Sequence, residues 1–257
     1  MELIYLDNSA TTKQLPQVTE KMLAAMEVHY GNPSSLHHAG LEAEKLVKEA
    51  RTAMEKAAGW SGERVVFTSG GTEADNLAIF GAAQAGRRQG KRIITTAVEH
   101  PAVLESCKRL EQQGYEVIRL GVDETGLLDL QQAEDVIDRE TILVTVMQVN
   151  NESGTIMPLD ALADIIRRNQ APALLHCDAV QSFGKLPLPQ CADMISVSGH
   201  KIHGPKGSGA LYLRKKLHIP AYLHGGGQEG GFRSGTENVP AIAGLGTAAQ
   251  IAAERRR

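Results

Sequence analysis

Short runs of β-branched and aromatic residues alternate along the chain with longer stretches whose apolar positions recur every three or four residues. Val65-Val66-Phe67, Ile93 to Thr96, Val117-Ile118, Thr141 to Val149, Ala173 to His176 and Asp193 to Val197 are the short runs. Their length and composition predict buried strands. Leu41, Leu46, Val47, Ala50, Met54 and Ala57 mark one face of a long helix, and Leu159, Leu162, Ile165 and Ile166 mark another. Pro101 stands where a first helical turn tolerates proline, ahead of Val103, Leu104 and Leu110. Ile242, Leu245, Ala249 and Ile251 predict a last helix over residues 241–257 that ends without a glycine or proline exit. Strands alternating with helices imply an α/β fold, with a mainly parallel central sheet flanked by helices. Ligands of such sheets sit beyond the carboxyl ends of the strands.

The polar signatures fall at those ends. Thr68 to Asn76, Glu99-His100, Asn150-Asn151-Glu152, Asp178 to Gln181 and Ser198 to Lys201 each follow an apolar run. Ser198-Gly199-His200-Lys201 then opens a loop, Ile202 to Ser208, rich in glycine and lysine. A lysine at one strand end and Asp178 at another match the needs of a pyridoxal 5'-phosphate (PLP) enzyme. The amine takes the cofactor's aldehyde as a Schiff base, and the carboxylate pairs with the protonated pyridine nitrogen. Gly70-Gly71-Thr72 lets backbone amides and a helix start approach a phosphate. That segment reads equally well as a helix start capped by Ser69 or Thr72. His100 suits stacking on a planar ring and moving protons, or equally a helix-entry histidine bonded to backbone. Asn151 and Gln181 can donate to the cofactor's phenolic oxygen, although Asn-Asn is also an ordinary turn. Ser198 and His200 can reach the phosphate beside Lys201.

Composition narrows the alternatives. The net charge of −3 leaves no basic footprint for nucleic acid. No apolar run approaches the ~20 residues of a membrane span, and Met1 to Asp7 lacks the basic and apolar regions of a signal peptide. Cys107, Cys177 and Cys191 are too widely spaced for a CxxC pair and fit no disulfide framework, which points to a reducing cytoplasm. The histidines show neither HExxH nor finger spacing, so no metal is expected. Gly225 to Gly230 matches GxGxxG in form only, because Gly231-Phe232-Arg233-Ser234-Gly235 does not open a helix. His224-Gly225-Gly226-Gly227 has the pattern of a lipase oxyanion loop, but no GxSxG nucleophile elbow accompanies it.

Taken together, Tyr5 to Thr12, Gly31 to Ser35, Thr68 to Asn76, Glu99-His100, Val149 to Gly154, Asp178 to Ser182, Ser198 to Gly207 and Arg233 to Thr236 resemble the cysteine desulfurases. These are class V aminotransferase-group enzymes of PLP fold type I, and the likeness runs in order over essentially the whole chain. It implies the large domain of that fold over residues 16–240, after an N-terminal segment 1–15, with 241–257 beginning a C-terminal region and the small domain mostly absent. It implies that Lys201 carries the cofactor, Asp178 pairs with its ring nitrogen and His100 stacks on it. Gly71, Thr72, Ser198 and His200 would hold the phosphate, and Asn151 and Gln181 the ring substituents. A homodimer is implied, with Thr236 completing the neighbouring subunit's phosphate site. The implied reaction converts L-cysteine to L-alanine and passes sulfur as a persulfide to an acceptor protein for iron–sulfur cluster assembly.

The family's nucleophilic cysteine and its carboxylate-binding arginine lie downstream of residue 257, and none of the three cysteines here occupies a matching position. Cys107 falls in a helix, Cys191 in a surface loop, and Cys177 on the strand face away from Asp178. Sulfur transfer by this chain alone is therefore expected to be poor. Two other readings stay open: a selenocysteine lyase or other PLP β-lyase, and a non-catalytic dimerising or scaffolding remnant.

Overall fold

The computed structural model describes residues 4–59 and 64–256. Met1 to Leu3, part of the expected N-terminal segment, and Arg257, the last residue of the expected terminal region, lie outside the described residues.

Among the described residues seven strands form one sheet in the order β1-β7-β6-β5-β4-β2-β3. They are β1 (Arg64–Thr68), β2 (Arg92–Thr96), β3 (Glu116–Leu120), β4 (Thr141–Met147), β5 (Leu174–Asp178), β6 (Met194–Ser198) and β7 (Gly209–Leu213). Six of the seven were anticipated. The addition is β7, which runs antiparallel to both β1 and β6, whereas β2–β3, β2–β4, β4–β5 and β5–β6 are parallel. The sheet is thus mainly parallel, as the alternation of strands and helices implies.

The helices are α1 (Pro16–Glu27), α2 (His38–Ala58), α3 (Gly71–Gly86), α4 (Pro101–Gln112), α5 (Leu130–Val136), α6 (Leu159–Arg168) and α7 (Val239–Arg255). Proline occupies the first turn of α4, where no helical N–H is needed. The helix α2 ends on Gly59 in the left-handed conformation (φ 71°), whose N–H bonds the carbonyls of Glu55 and Lys56.

Each face of the sheet buries a separate apolar cluster. Leu77, Ala78 and Ile79 of α3, with Val103 and Leu110 of α4, cover Ile93, Leu143, Met194 and Leu211 on one face. The other face carries Ile94, Val144, Val146, Leu175, Cys177, Ile195 and Val197, under α1, α2, α6 and α7. The helix α7 buries Ala241 to Gly246 and Ala248-Ala249, packing against α1 and α2 within this same cluster. Among the described residues no helix is long and apolar enough to cross a membrane.

Candidate active site

All five polar signatures converge at the carboxyl ends of the strands. Gly71, Thr72, His100, Asn151, Asp178, Gln181, Ser198, His200 and Lys201 line one cavity of about 480 Å³. Thr236 does not reach it: that exposed residue borders a separate hollow with Ser69, Arg233 and Asn238. The N-terminal residues Asp7, Ser9 and Ala10 also line the cavity. No role had been assigned to them, since their place depends on contacts nearly the whole chain length away.

Lys201 ends a single 3-10 turn, Gly199–Lys201, that follows β6. Its Nζ donates to the Ala10 carbonyl at 2.8 Å and to the Ser9 carbonyl. The N-terminal segment is itself fastened there, because Thr12 donates to the His200 carbonyl through both its N–H (2.9 Å) and its hydroxyl (2.8 Å). Partial burial pushes the Lys201 amine below its ordinary pKa, against the pull of Asp178 and Asp7. Lys201 therefore reaches its neutral, nucleophilic form more readily than a surface lysine.

Asp178 closes β5 and is 6% exposed. Burial pushes its carboxyl up, while the Val180 N–H bonded at 2.9 Å to its Oδ1, His100 and Lys201 favour the charged form. It has room at the cavity floor to meet a cation. His100 caps α4, its Nδ1 accepting from the Ala102 N–H at 3.1 Å. The helix-entry role and the cavity-lining role thus coexist, with Nδ1 engaged as an acceptor and Nε2 outside that bond.

The helix α3 follows Gly70, whose positive φ of 157° suits glycine, and no side chain among the described residues is bonded to the first-turn amides. The expected cap from Ser69 or Thr72 is not made: the Ser69 N–H instead donates to Glu73 at 2.8 Å. First-turn N–H groups with the helix dipole behind them are a seat for an anion. A Cβ on Gly71 would sit 2.7 Å from Val180 Cγ2 and 3.6 Å from Ser198 Cβ, so only glycine fits this wall without displacement. His200 Nδ1 pairs with the Thr11 hydroxyl at 3.1 Å, and burial, then Lys201 and Lys206, lower its pKa. Gln181 Nε2 donates to the Ser9 carbonyl at 2.9 Å, and Asn151 Nδ2 donates to Glu152 at 2.6 Å.

Two buried carboxylates were not singled out as chemistry. Glu99 is 4% exposed, and its oxygens accept from the Met147 N–H at 2.9 and 3.0 Å and from the Thr96 hydroxyl at 2.8 Å. Burial nonetheless raises its pKa to about 8. Asp75, on α3 one turn after Gly71, lines the cavity and is 1% exposed. An acid in the second turn of a predicted helix reads as an ordinary helix residue, which is why it escaped notice.

The cysteines behave as their positions foretell. Burial pushes Cys107 and Cys191 up to about 12 and raises Cys177 as well. Cys177 lies in the apolar cluster on the face opposite Asp178. None of the three is an activated thiolate.

A cavity at parallel strand ends, holding a lysine, a buried acid and an anion seat, defines a class. The family model for class-V aminotransferases matches residues 4–256, and the chain belongs to that family. Within it the similarity runs to cysteine desulfurases. The putative cysteine desulfurase IscS 1 of Bacillus subtilis is 45% identical over 259 residues, covering 100% of this chain and 68% of that one. A solved NifS-like protein superposes with a TM-score of 0.95 at 41% identity, over 99% of this chain and 71% of the other. SspA in complex with cysteine superposes with a TM-score of 0.90 at 37% identity, over 96% and 72%. The chain spans 62% to 68% of the length of its similar curated relatives. Enzymes of this family are PLP-dependent.

The donor set fits that cofactor. The wall that admits only glycine at residue 71, the amides opening α3, and the hydroxyls of Thr72 and Ser198 suit a phosphate. Asp178 and Lys201, with opposite charge demands in one cavity, suit a ring nitrogen and an aldehyde.

Proposed function

We propose that the chain is the cofactor-binding part of a cysteine desulfurase, acting on L-cysteine with PLP and releasing its sulfur to a thiol. The observation that carries this reading is the convergence of Asp178, Lys201 and the α3 start on one cavity. When bound, PLP supplies an electron sink that acidifies the α-carbon of an amino acid substrate.

The chain's own residues do the rest. Asp178 holds the ring nitrogen's proton in place by its charge. Lys201, depressed by burial, supplies the attaching amine and can afterwards carry a proton to or from substrate carbon. Gly71, Thr72, Ser198 and His200 anchor the phosphate, and Asn151 and Gln181 orient the ring substituents. His100 lies against the ring and offers Nε2 for proton movement. Thr236, outside this cavity on its own chain, completes the phosphate seat of a second copy in a homodimer. Cys107, Cys177 and Cys191 stay protonated and buried or half-buried, so the sulfur-accepting thiol comes from outside these 257 residues.

One experiment tests both halves. The purified chain mixed with PLP and passed over a desalting column retains the cofactor's visible absorbance, and Lys201→Ala does not. The same preparation, given L-cysteine, carries no persulfide sulfur on its three cysteines by mass spectrometry. Unchanged absorbance in Lys201→Ala would refute the cofactor assignment, and a persulfide on any of the three would refute the assignment of the thiol.

A further inference from the structure

Asp75 is a carboxyl group without a visible purpose. It projects from α3 toward the sheet, is 1% exposed, and its Oδ1 has no hydrogen-bond partner. A row of polar side chains crosses the sheet beneath it. Thr145 of β4 bonds His176 Nδ1 at 2.8 Å, and Ser196 of β6 bonds His176 Nε2 at 2.9 Å. The row lies one pleat below Asp178, since His176 and Asp178 share a strand face. All three members are fully buried.

Three buried acids oppose one another's ionisation here: Asp75 from α3 and Asp178 from β5, which line the same cavity, and Glu99 from the loop after β2. Buried like charges that interact cannot all persist out of water. The support is unevenly shared. His100 and Lys201 face Asp178 and favour its charge. The basic group beside Asp75 is His176, with Nε2 3.7 Å from Oδ1, too far for a hydrogen bond. Burial holds that ring neutral, with its pKa lowered to about 3, and both nitrogens are already engaged by hydroxyls. Burial, then the facing charge of Asp178, favour the neutral acid at Asp75, against only the Ser196 hydroxyl.

We propose that Asp75 is a positioning residue that retains a proton in the working protein, leaving Asp178 as the charged carboxylate at the cavity floor. Were Asp75 ionised, its negative charge would favour protonation of Asp178, which would then have no charge to offer the ring nitrogen. The unbonded Oδ1 lies 3.7 Å from the His176 ring, where no cation among the described residues supports a charge on it. The proposal rests on the PLP reading for its purpose and for the absorbance arm of its test, but not for the infrared arm.

The full chain, isotope-labelled at aspartate, is examined by infrared spectroscopy at neutral pH. A protonated aspartic acid band is expected in the wild type and in Asp178→Asn, and its loss in Asp75→Asn. With PLP bound, Asp75→Asn, which imitates a neutral acid, should leave the pH midpoint of the visible absorbance nearly unmoved. The proposal is overturned if the wild type lacks the band, if the band survives in Asp75→Asn, or if that variant shifts the midpoint by about one unit or more, the effect of removing a neighbouring like charge. Should Asp75→Asn be insoluble, the other two proteins decide: a band in both supports the proposal, and its loss in either overturns it. The infrared measurement needs no cofactor, so a failure of PLP binding, seen with Lys201→Ala, remains a separate result.

Discussion

The two faces of the same three strands solve different problems. Toward α3, β4, β5 and β6 present Thr145, His176, Asp178, Ser196 and Ser198, with Asp75 and Glu99 close by. Away from α3 they present Val144, Val146, Leu175, Cys177, Ile195 and Val197. Alternation along a strand makes this division possible within five residues of β5, where His176 and Asp178 point one way and Leu175 and Cys177 the other. The apolar face supplies cohesion through burial. The polar face spends cohesion on groups that water would otherwise solvate, and recovers part of it through hydrogen bonds.

The contrast is sharpest in what each face loses on mutation. On the apolar side, Leu175→Ala empties volume at a residue 2% exposed and should cost about 2–5 kcal/mol in urea-unfolding stability. A loss under about 1 kcal/mol would show that α6 and its neighbours collapse into the space, and that the apolar face is less tightly packed than it looks.

On the polar side the largest effect should come from pH. Glu99 has its pKa raised to about 8, so it binds a proton more tightly folded than unfolded. Its contribution is complete below the unfolded value near 4.5 and is lost as pH rises through about 8, a change on the order of a few kcal/mol. His176 works in the opposite sense. Its pKa is lowered to about 3, so its contribution is present above about 6.5 and lost as pH falls toward 3. Glu99→Gln should therefore flatten the alkaline limb of the stability–pH curve and leave the acid limb in place. If both limbs stayed as in the wild type, Glu99 would not be the group responsible.

The smallest effect is expected at Ser196. Removing its hydroxyl with Ser196→Ala leaves His176 Nε2 without that 2.9 Å partner and should cost about 1–2 kcal/mol in the same unfolding assay. A neutral result would mean that the polar row is satisfied in another way.

Much of this division was readable from the chain itself. Six strands announced themselves as β-branched runs, and their polar ends marked five walls of the cavity, because a parallel sheet places its ligand there whatever the chemistry. Local patterning did not reveal β7. Gly209-Ala210-Leu211-Tyr212-Leu213 opens on a glycine after a glycine- and lysine-rich loop, and its direction is decided by pairing with β1 and β6 far away in sequence. Asp75 and Glu99 were legible as residues but not as a buried pair, since burial of a helix acid depends on which face meets the sheet. Lys201 and Asp178 could be named early because each stood at a strand end with glycine or polar companions. The three cysteines could be dismissed on strand parity for Cys177, helix position for Cys107 and a loop placement for Cys191, and their raised pKa values agree.

The fastening of Thr12 to His200 and of Lys201 to Ala10 sets an order of events during biosynthesis. The ribosome delivers residues 9–12 first and residue 201 some 190 positions later, the separation spanned by the Lys201–Ala10 contact. At translation rates of about 5–20 residues per second, the amino-terminal segment must wait on the order of ten seconds or more, exposed, before its dock exists. A nascent chain stalled before that point would carry an incomplete pocket.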